Sequence, residues 1–252
     1  MLKPLPLLDP EPDAPFPPAQ VALCDPDGLL AFGGDLSQTR LLKAYRLGIF
    51  PWYSENQPIL WWSPDPRCVF HSANIHLASR FRRRLRHCRW HVSADRDFAA
   101  VIAGCAHAPR RGQEGTWITP EMSAAFLDLH ACGWAHSIEV RDGDTLVGGL
   151  YGLAIGQMFF AESMFSALPG ASTLALAALA YRLSQWRWPL IDAQISNPHL
   201  LSLGAKTMPR DAFLAEVARL TALPSPGAGF TLAFGAVPAN TFAPPEPLRQ
   251  AR

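Results

Sequence analysis

Apolar residues recur at two periods along this chain, and the change of period marks where helix gives way to strand. Leu41, Leu42 and Tyr45 follow Ser37 at helical spacing, which predicts a helix capped by the Ser37 hydroxyl and closed at Gly48. The same period predicts a helix capped by Ser79 with Phe81 and Leu85 inward. It predicts another capped by Asp95 carrying Phe98, Val101 and Ile102, and a third after Thr119-Pro120 carrying Met122, Phe126 and Leu129. These three helices are expected to precede the main sheet. His136 to Val140, Thr145 to Leu153 and Gln157 to Met164 then read as strands of an antiparallel meander, turned at Asp142-Gly143-Asp144 and Ile155-Gly156. Leu174, Leu176, Leu179 and Leu183 restore the helical period from Ala171 to Leu183, a strand runs through Asp192, and a last helix covers Asp211 to Leu220.

Prolines frame this pattern. Pro4 to Pro18 and Pro238 to Pro247 predict extended arms that carry no chemistry. Leu29 to Asp35, Ile49 to Tyr53 and Ile59 to Pro66 read as short extended segments rich in aromatic residues, the material of a small N-terminal lobe. The expected division is therefore 1–66, a small N-terminal domain with a proline-rich arm, and 67–252, a larger domain with a proline-rich tail. Strands, helix, strand, helix is the order of an N-acetyltransferase (GNAT-like) sheet, so the expected class is mixed α/β (α+β) with that larger C-terminal domain.

The chain's 252 residues, 49% of them hydrophobic, are ample for a packed core. The net charge of +1 conceals a local excess, because Arg80, Arg82, Arg83, Arg84, Arg86 and Arg89 fall together with no intervening acid. With Phe81 and Leu85 inward, Arg80, Arg83 and Arg84 form an outer ridge suited either to phosphates or simply to water. The five cysteines are dispersed without a C-x-x-C pair, as expected of reduced cytosolic thiols. No signal-peptide core precedes Asp9, Glu11 and Asp13, and no apolar run has membrane-spanning length, so a cytoplasmic protein without a membrane partner is expected. The histidines lack metal-ligand spacing, and Cys105 and Cys132 lack an evident base, so neither a metal site nor a thiol nucleophile is expected.

The chemistry-bearing residues concentrate in Leu190 to Asn197. Aspartate is disfavoured in strands and costly to bury alone, so Asp192 inside an apolar run implies a partner. Asp192 and Gln194, two residues apart, share one face of a strand, where they suit a cationic or hydrogen-bonding substrate or cap nearby backbone. Glu162, flanked by Phe159, Phe160, Met164 and Phe165, is a second acid in apolar surroundings, open to a substrate ammonium or to an internal arginine. A coenzyme A enzyme of this topology would hold pyrophosphate on a glycine-bearing loop before the central helix. Residues 166–172 contain Gly170 alone, so neither an acyl-CoA donor nor any other cofactor is expected.

Six segments together resemble the bacterial leucyl/phenylalanyl-tRNA–protein transferase family. They are Leu29 to Ser37, Gly48 to Trp52, Leu60 to Arg67, Glu114 to Thr119, Glu162 to Ser166 and Asp192-Ala193-Gln194. The resemblance implies transfer of Leu or Phe, and weakly Met, from Leu-tRNA or Phe-tRNA to proteins with N-terminal Arg or Lys. The modified N-terminus then signals degradation, so the proteolytic machinery is an indirect partner. It further implies that Asp192 and Gln194 are catalytic, that Trp52 stacks on the terminal adenine, and that Trp117 and Glu162 bind substrate. The donor side chain would occupy a pocket of Leu150, Phe159, Leu176, Leu179 and Ile191, although helical spacing alone assigns Leu176 and Leu179 to the core. The chain departs from the family's usual Lys at Thr173, which puts that residue's phosphate contact in question. The alternatives are a CoA-dependent N-acetyltransferase, opposed by the 166–172 loop, and a noncatalytic RNA-binding module, which leaves Asp192 and Gln194 unexplained.

Each phosphate contact releases condensed counterions, so replacing Arg80, Arg83 and Arg84 by Gln should weaken tRNA binding and flatten its salt dependence. We expect the log–log slope in filter binding to fall by roughly 2–3, equally for Leu-tRNA and Phe-tRNA. An unchanged slope would assign the ridge to solvent.

Overall fold

The strands divide between two sheets, and the division follows from which residues are apolar on both faces. In the computed structural model, which describes residues 5–108, 117–225 and 229–245, the N-terminal elements are β1 (Leu7–Leu8), β2 (Leu29–Gly33), α1 (Gln38–Arg46), β3 (Phe50–Pro51) and β4 (Leu60–Trp62). There follow β5 (Arg67–His71), α2 (Ser79–Leu85), β6 (His91–Ala94), α3 (Phe98–His107), α4 (Pro120–Ala131), β7 (Ala135–Asp142), β8 (Thr145–Ile155) and β9 (Met158–Ser166). The chain continues through α5 (Ala171–Gln185), β10 (Leu190–Gln194), α6 (Pro198–Ser202), β11 (Lys206–Met208), α7 (Arg210–Thr221), α8 (Phe230–Phe234) and β12 (Val237–Pro238). Among the described residues the first sheet has the order β1-β2-β4-β3 and the second, eight-stranded, has the order β11-β5-β10-β9-β8-β7-β6-β12.

Alternation along the large sheet supplies two cores. Val69, Tyr151, Phe160 and Leu190 point to one, shared with α3, α4 and the small sheet's Leu30 and Trp61; Phe70, Leu150, Phe159 and Ile191 point to the other, beneath α5. The mixed α/β class is therefore observed, with helices on both faces. The expected meander is present, since β7, β8 and β9 pair antiparallel in succession. β9 then pairs parallel with β10 through the α5 crossover. That helix sits close because β8 carries Gly148, where a Cβ would stand 2.5 Å from Ala171 Cβ and 2.8 Å from the Phe165 carbonyl oxygen.

Several local expectations change. Ser79 is the first residue of α2 rather than its cap, and Ala78 precedes it without a side-chain bond. Asp97, not Asp95, caps α3 by accepting from the Ala100 N–H. Asp95, with φ +57°, instead accepts from Ser137 N–H and pairs with His136 at 2.8 Å. The three helices do not all precede the sheet, because β5 and β6 are strands of it, too short for a period-two signal. The N-terminal arm is tied down: β1 pairs with β2, and the buried Arg40 donates to the carbonyls of Asp9 and Glu11. The C-terminal arm likewise begins as β12, paired with β6, while Pro4 and Pro247 lie outside the described residues.

Gly148→Val should prevent α5 from seating, because the added atoms meet backbone rather than a flexible side-chain end. We expect a stability loss of at least about 2 kcal/mol in urea unfolding, at the upper part of the range for overpacking.

Candidate active site

The two strands that carry the chemistry are both interrupted where the chemistry lies. In β9, Gly152 of β8 pairs with Ala161 and Tyr151 with Ser163, leaving Glu162 as the extra residue of a bulge. Gly152 permits this crowding, since a Cβ there would lie 2.1 Å from the Phe160 carbonyl oxygen. In β10, Asp192 pairs with Val69 and Gln194 with Cys68, so Ala193 is skipped. Gln194 enters the left-handed region at φ +59°, an arrangement that costs a non-glycine residue about 1 kcal/mol or more. Its backbone N–H donates to Asp192 Oδ1 at 2.9 Å, which helps hold that conformation.

The expected common face of Asp192 and Gln194 is consequently broken. Asp192 is fully buried, and its partner is Arg67, which donates Nε to Oδ1 at 2.8 Å and Nη2 to Oδ2 at 2.7 Å. Arg67 also donates Nη1 to the Gly48 carbonyl and lies between the rings of Phe50 and Phe213, each centred 4.6 Å from its guanidinium carbon. A planar fork fits both tasks, bidentate bonding and stacking. Sequence reasoning read Arg67 only as the end of an aromatic motif. Beside this pair, burial pushes the Cys68 thiol up to about 11, which leaves it inert as a nucleophile.

Gln194, unlike Asp192, reaches a cavity of about 330 Å³ whose lining also includes Trp52, Trp117, Leu150, Glu162 and Leu176. The cavity brings these six expected residues together. Phe159, Leu179 and Ile191 do not line it; they are fully buried behind its wall in the core under α5. The wall is completed by residues not expected to line it, among them Phe50, Phe70, Met164 and Leu200. Phe70 and Leu200 lie just beyond the ends of two motif segments, and the pairing of β5 with β10 and the turn into α6 bring them to the cavity.

Gln194 Nε2 donates to Glu162 Oε1 at 2.7 Å. Burial pushes the Glu162 carboxyl up to about 8, and the nearby Asp192 charge adds to that shift; the Tyr45 hydroxyl, the Gln194 amide and Arg67 oppose it. An acid of this kind changes charge within the range in which an α-amine does. Trp52 is half-buried against Trp62 at 5.5 Å between ring centres, and the Trp62 Nε1 donates to its carbonyl.

On α2, Leu85 is buried, Phe81 is half-buried, and Arg80, Arg83 and Arg84 are exposed as the spacing requires. Arg84 donates to the Pro169 carbonyl, and Arg82 and Arg86 hold the C-terminal segment through the Phe242 and Pro244 carbonyls. The segment Glu114 to Thr116 lies outside the described residues. Among the described residues no group of three or more His, Cys, Asp or Glu side chains gathers as a metal would need, and no helix is long and apolar enough to cross a membrane.

Removing one member of a buried ion pair strands the other. Arg67→Ala should therefore lose about 3–5 kcal/mol in chemical denaturation, and adding Asp192→Ala should recover part of that loss, because no buried charge is then unpaired.

Comparison with known proteins identifies the chain's relatives. The family model described as Leucyl/phenylalanyl-tRNA protein transferase matches residues 69–218, and the model for that family's N-terminal domain matches residues 34–65. A leucyl/phenylalanyl-tRNA–protein transferase of Xanthomonas campestris pv. campestris (strain B100) is 61% identical over 229 residues, covering 91% of this chain and 92% of that protein. One from Xylella fastidiosa (strain M23) is also 61% identical over 229 residues, covering 91% and 94%. A solved structure of L-PGS from Bacillus licheniformis aligns over 68% of this chain and 57% of its own at 11% identity, with a TM-score of 0.32, too low to define a shared fold. The chain belongs to the leucyl/phenylalanyl-tRNA–protein transferase family.

Proposed function

We propose that this protein transfers Leu or Phe, and Met weakly, from aminoacyl-tRNA to an N-terminal Arg or Lys of an acceptor protein. The observation that carries the reading is an apolar cavity with a bonded Glu162–Gln194 pair in its lining. Leu and Phe share only apolar surface, so a pocket for both needs walls without hydrogen-bonding groups. Leu150, Leu176 and Met164 provide such walls, and a methylene difference there is worth only about 1–3 kcal/mol, which is why Met is accepted weakly. Phe159, Leu179 and Ile191 act from behind, setting how far the pocket can deepen.

The acceptor α-amine attacks the ester carbonyl carbon; the new C–N bond forms, the ester C–O bond breaks, and the ribose oxygen departs with a proton. The step is downhill, and a free α-amine has a pKa of about 7.7–8.0, so a useful fraction is neutral near neutrality. Proximity and orientation then supply most of the acceleration, up to about 7–11 kcal/mol in the best cases. Gln194 commits its amide N–H to Glu162, which leaves the amide oxygen to take an N–H from the attacking amine. Glu162 orients a substrate amine, that of the donor amino acid or that of the acceptor. Asp192 serves from beneath: both its oxygens are bound by Arg67, and its bond to the Gln194 N–H fixes where that amide points.

Trp52 offers the terminal adenine an aromatic face worth about 1–3 kcal/mol, Trp117 lines the same cavity, and Arg80, Arg83 and Arg84 receive the phosphates. The reading extends to a two-domain chain divided at 66/67, supported by the separate sheets and the separate family-model matches. It also extends to a GNAT-like larger domain, supported by the parallel β9–α5–β10 crossover, and to action in the cytoplasm, where the product is passed to proteolysis.

Radiolabelled Leu-tRNA incubated with an Arg-initiated peptide tests the reading directly. Label should enter the peptide, and Gln194→Ala and Asp192→Ala should each slow single-turnover transfer at least about tenfold with little change in tRNA affinity. Acetyl-CoA binding without aminoacyl transfer would overturn the reading.

A further inference from the structure

We propose that Tyr45 is a positioning residue for the transfer reaction: its hydroxyl holds the Glu162 carboxyl from inside the protein, opposite Gln194, and keeps it fit to bind a substrate amine. The inference rests on the role given above to Glu162. Tyr45 belongs to α1, an element of the N-terminal lobe, yet it is completely buried, with its ring edge-on to Phe160 of β9 at 5.3 Å between centres. Phe160 precedes the bulged Glu162 by two residues, so the Tyr45 ring is packed against the strand that presents the acid.

The carboxyl is held at one oxygen only. Glu162 Oε1 accepts from Gln194, whereas Oε2 is buried and, among the described residues, has no direct hydrogen bond of standard geometry; the same is true of the Tyr45 hydroxyl. The two groups nevertheless interact, and the hydroxyl favours the ionised carboxyl. Hydrogen bonds of catalytic groups are often loose before substrate binds and tighten when it does. The other groups that face Glu162 are Gln194 and Asp192 from β10 and Arg67 from β5. Arg67 is already neutralised by Asp192, so the donors left to support a second negative charge are Gln194 and Tyr45. Burial and the Glu162 charge push the Tyr45 phenol well above its usual range, so it remains a donor at any working pH.

Deleting only the hydroxyl, by Tyr45→Phe, preserves the ring packing. Loss of a donor disfavours the carboxylate and moves its titration to higher pH, by about one unit for a bond to a charged group. The acceptor's own amine titrates identically with either protein, so the ratio of kcat/KM values, variant over wild type, isolates the enzyme's group. Measured from pH 6 to 10 with Leu-tRNA and an Arg-initiated peptide, the ratio should rise from about one-tenth to near unity. In a Glu162→Gln background the same substitution should give a flat ratio. A flat ratio in the native background, with the Glu162→Gln enzyme impaired, overturns the role of Tyr45 alone. A pH-dependent ratio that persists in the Glu162→Gln background overturns the assignment to Glu162 as well. Should Tyr45→Phe fail to fold, 3-fluorotyrosine at position 45, a stronger donor, must move the dependence toward acid pH; no movement rejects the proposal.

Discussion

Arg67 and Asp192 each lose their hydration on folding, and the loss is tolerable because each guanidinium nitrogen and both carboxylate oxygens find a partner. The guanidinium meets both carboxylate oxygens, spends a third direction on the Gly48 carbonyl, and gives its two faces to Phe50 and Phe213. Its partners come from the end of α1, from β3, from β10 and from α7, so one side chain ties the small sheet, the large sheet and the last long helix together. Such a pair adds little net stability compared with apolar residues of the same size. What it fixes is geometry, because the fork accepts the carboxylate in one orientation, and that orientation directs Oδ1 at the Gln194 N–H.

From that fixed point the site is built by interruptions of regular structure. A strand without bulges would alternate its side chains, sending Glu162 and Gln194 to positions set by the cores on either side of the sheet. The bulges at Glu162 and Ala193 break the alternation in neighbouring strands, and the two displaced polar groups meet at 2.7 Å. Each interruption needs local permission: Gly152 gives β9 room, and the Asp192–Gln194 bond holds the left-handed residue.

These features explain what the sequence disclosed and what it withheld. The long amphipathic helices, the meander and the α1 and α4 caps at Ser37 and Thr119 were legible, because each depends on residues close in the chain. β5 and β6 were not, being too short for a period to stand out. The polar run Asp192-Ala193-Gln194 pointed to the right strand, but period-two reasoning could not foresee the bulge that separates the pair. Arg67 was hidden for another reason: its partner is 125 residues away, and nothing local distinguishes a buried arginine from an exposed one. Leu176 and Leu179 illustrate the same limit, since one lines the cavity and the other lies behind it, a difference of one helical step.

The arrangement also separates two demands that conflict in a single pocket. A donor side chain of Leu or Phe calls for a dry, apolar cavity, while an amine nucleophile calls for a polar group that binds it without holding it permanently protonated. A fully ionised, well-solvated carboxylate would stabilise an ammonium and so suppress attack. Burial weakens Glu162 as an acid until its proton affinity, at about 8, lies close to that of an α-amine. A carboxyl weakened in this way holds an amine less firmly as ammonium than a solvated carboxylate would. The apolar walls proposed to receive the donor side chain contribute to that burial. In the proposed transfer, donor selection and acceptor binding thus draw on the same apolar cavity, held in register by an ion pair outside its lining.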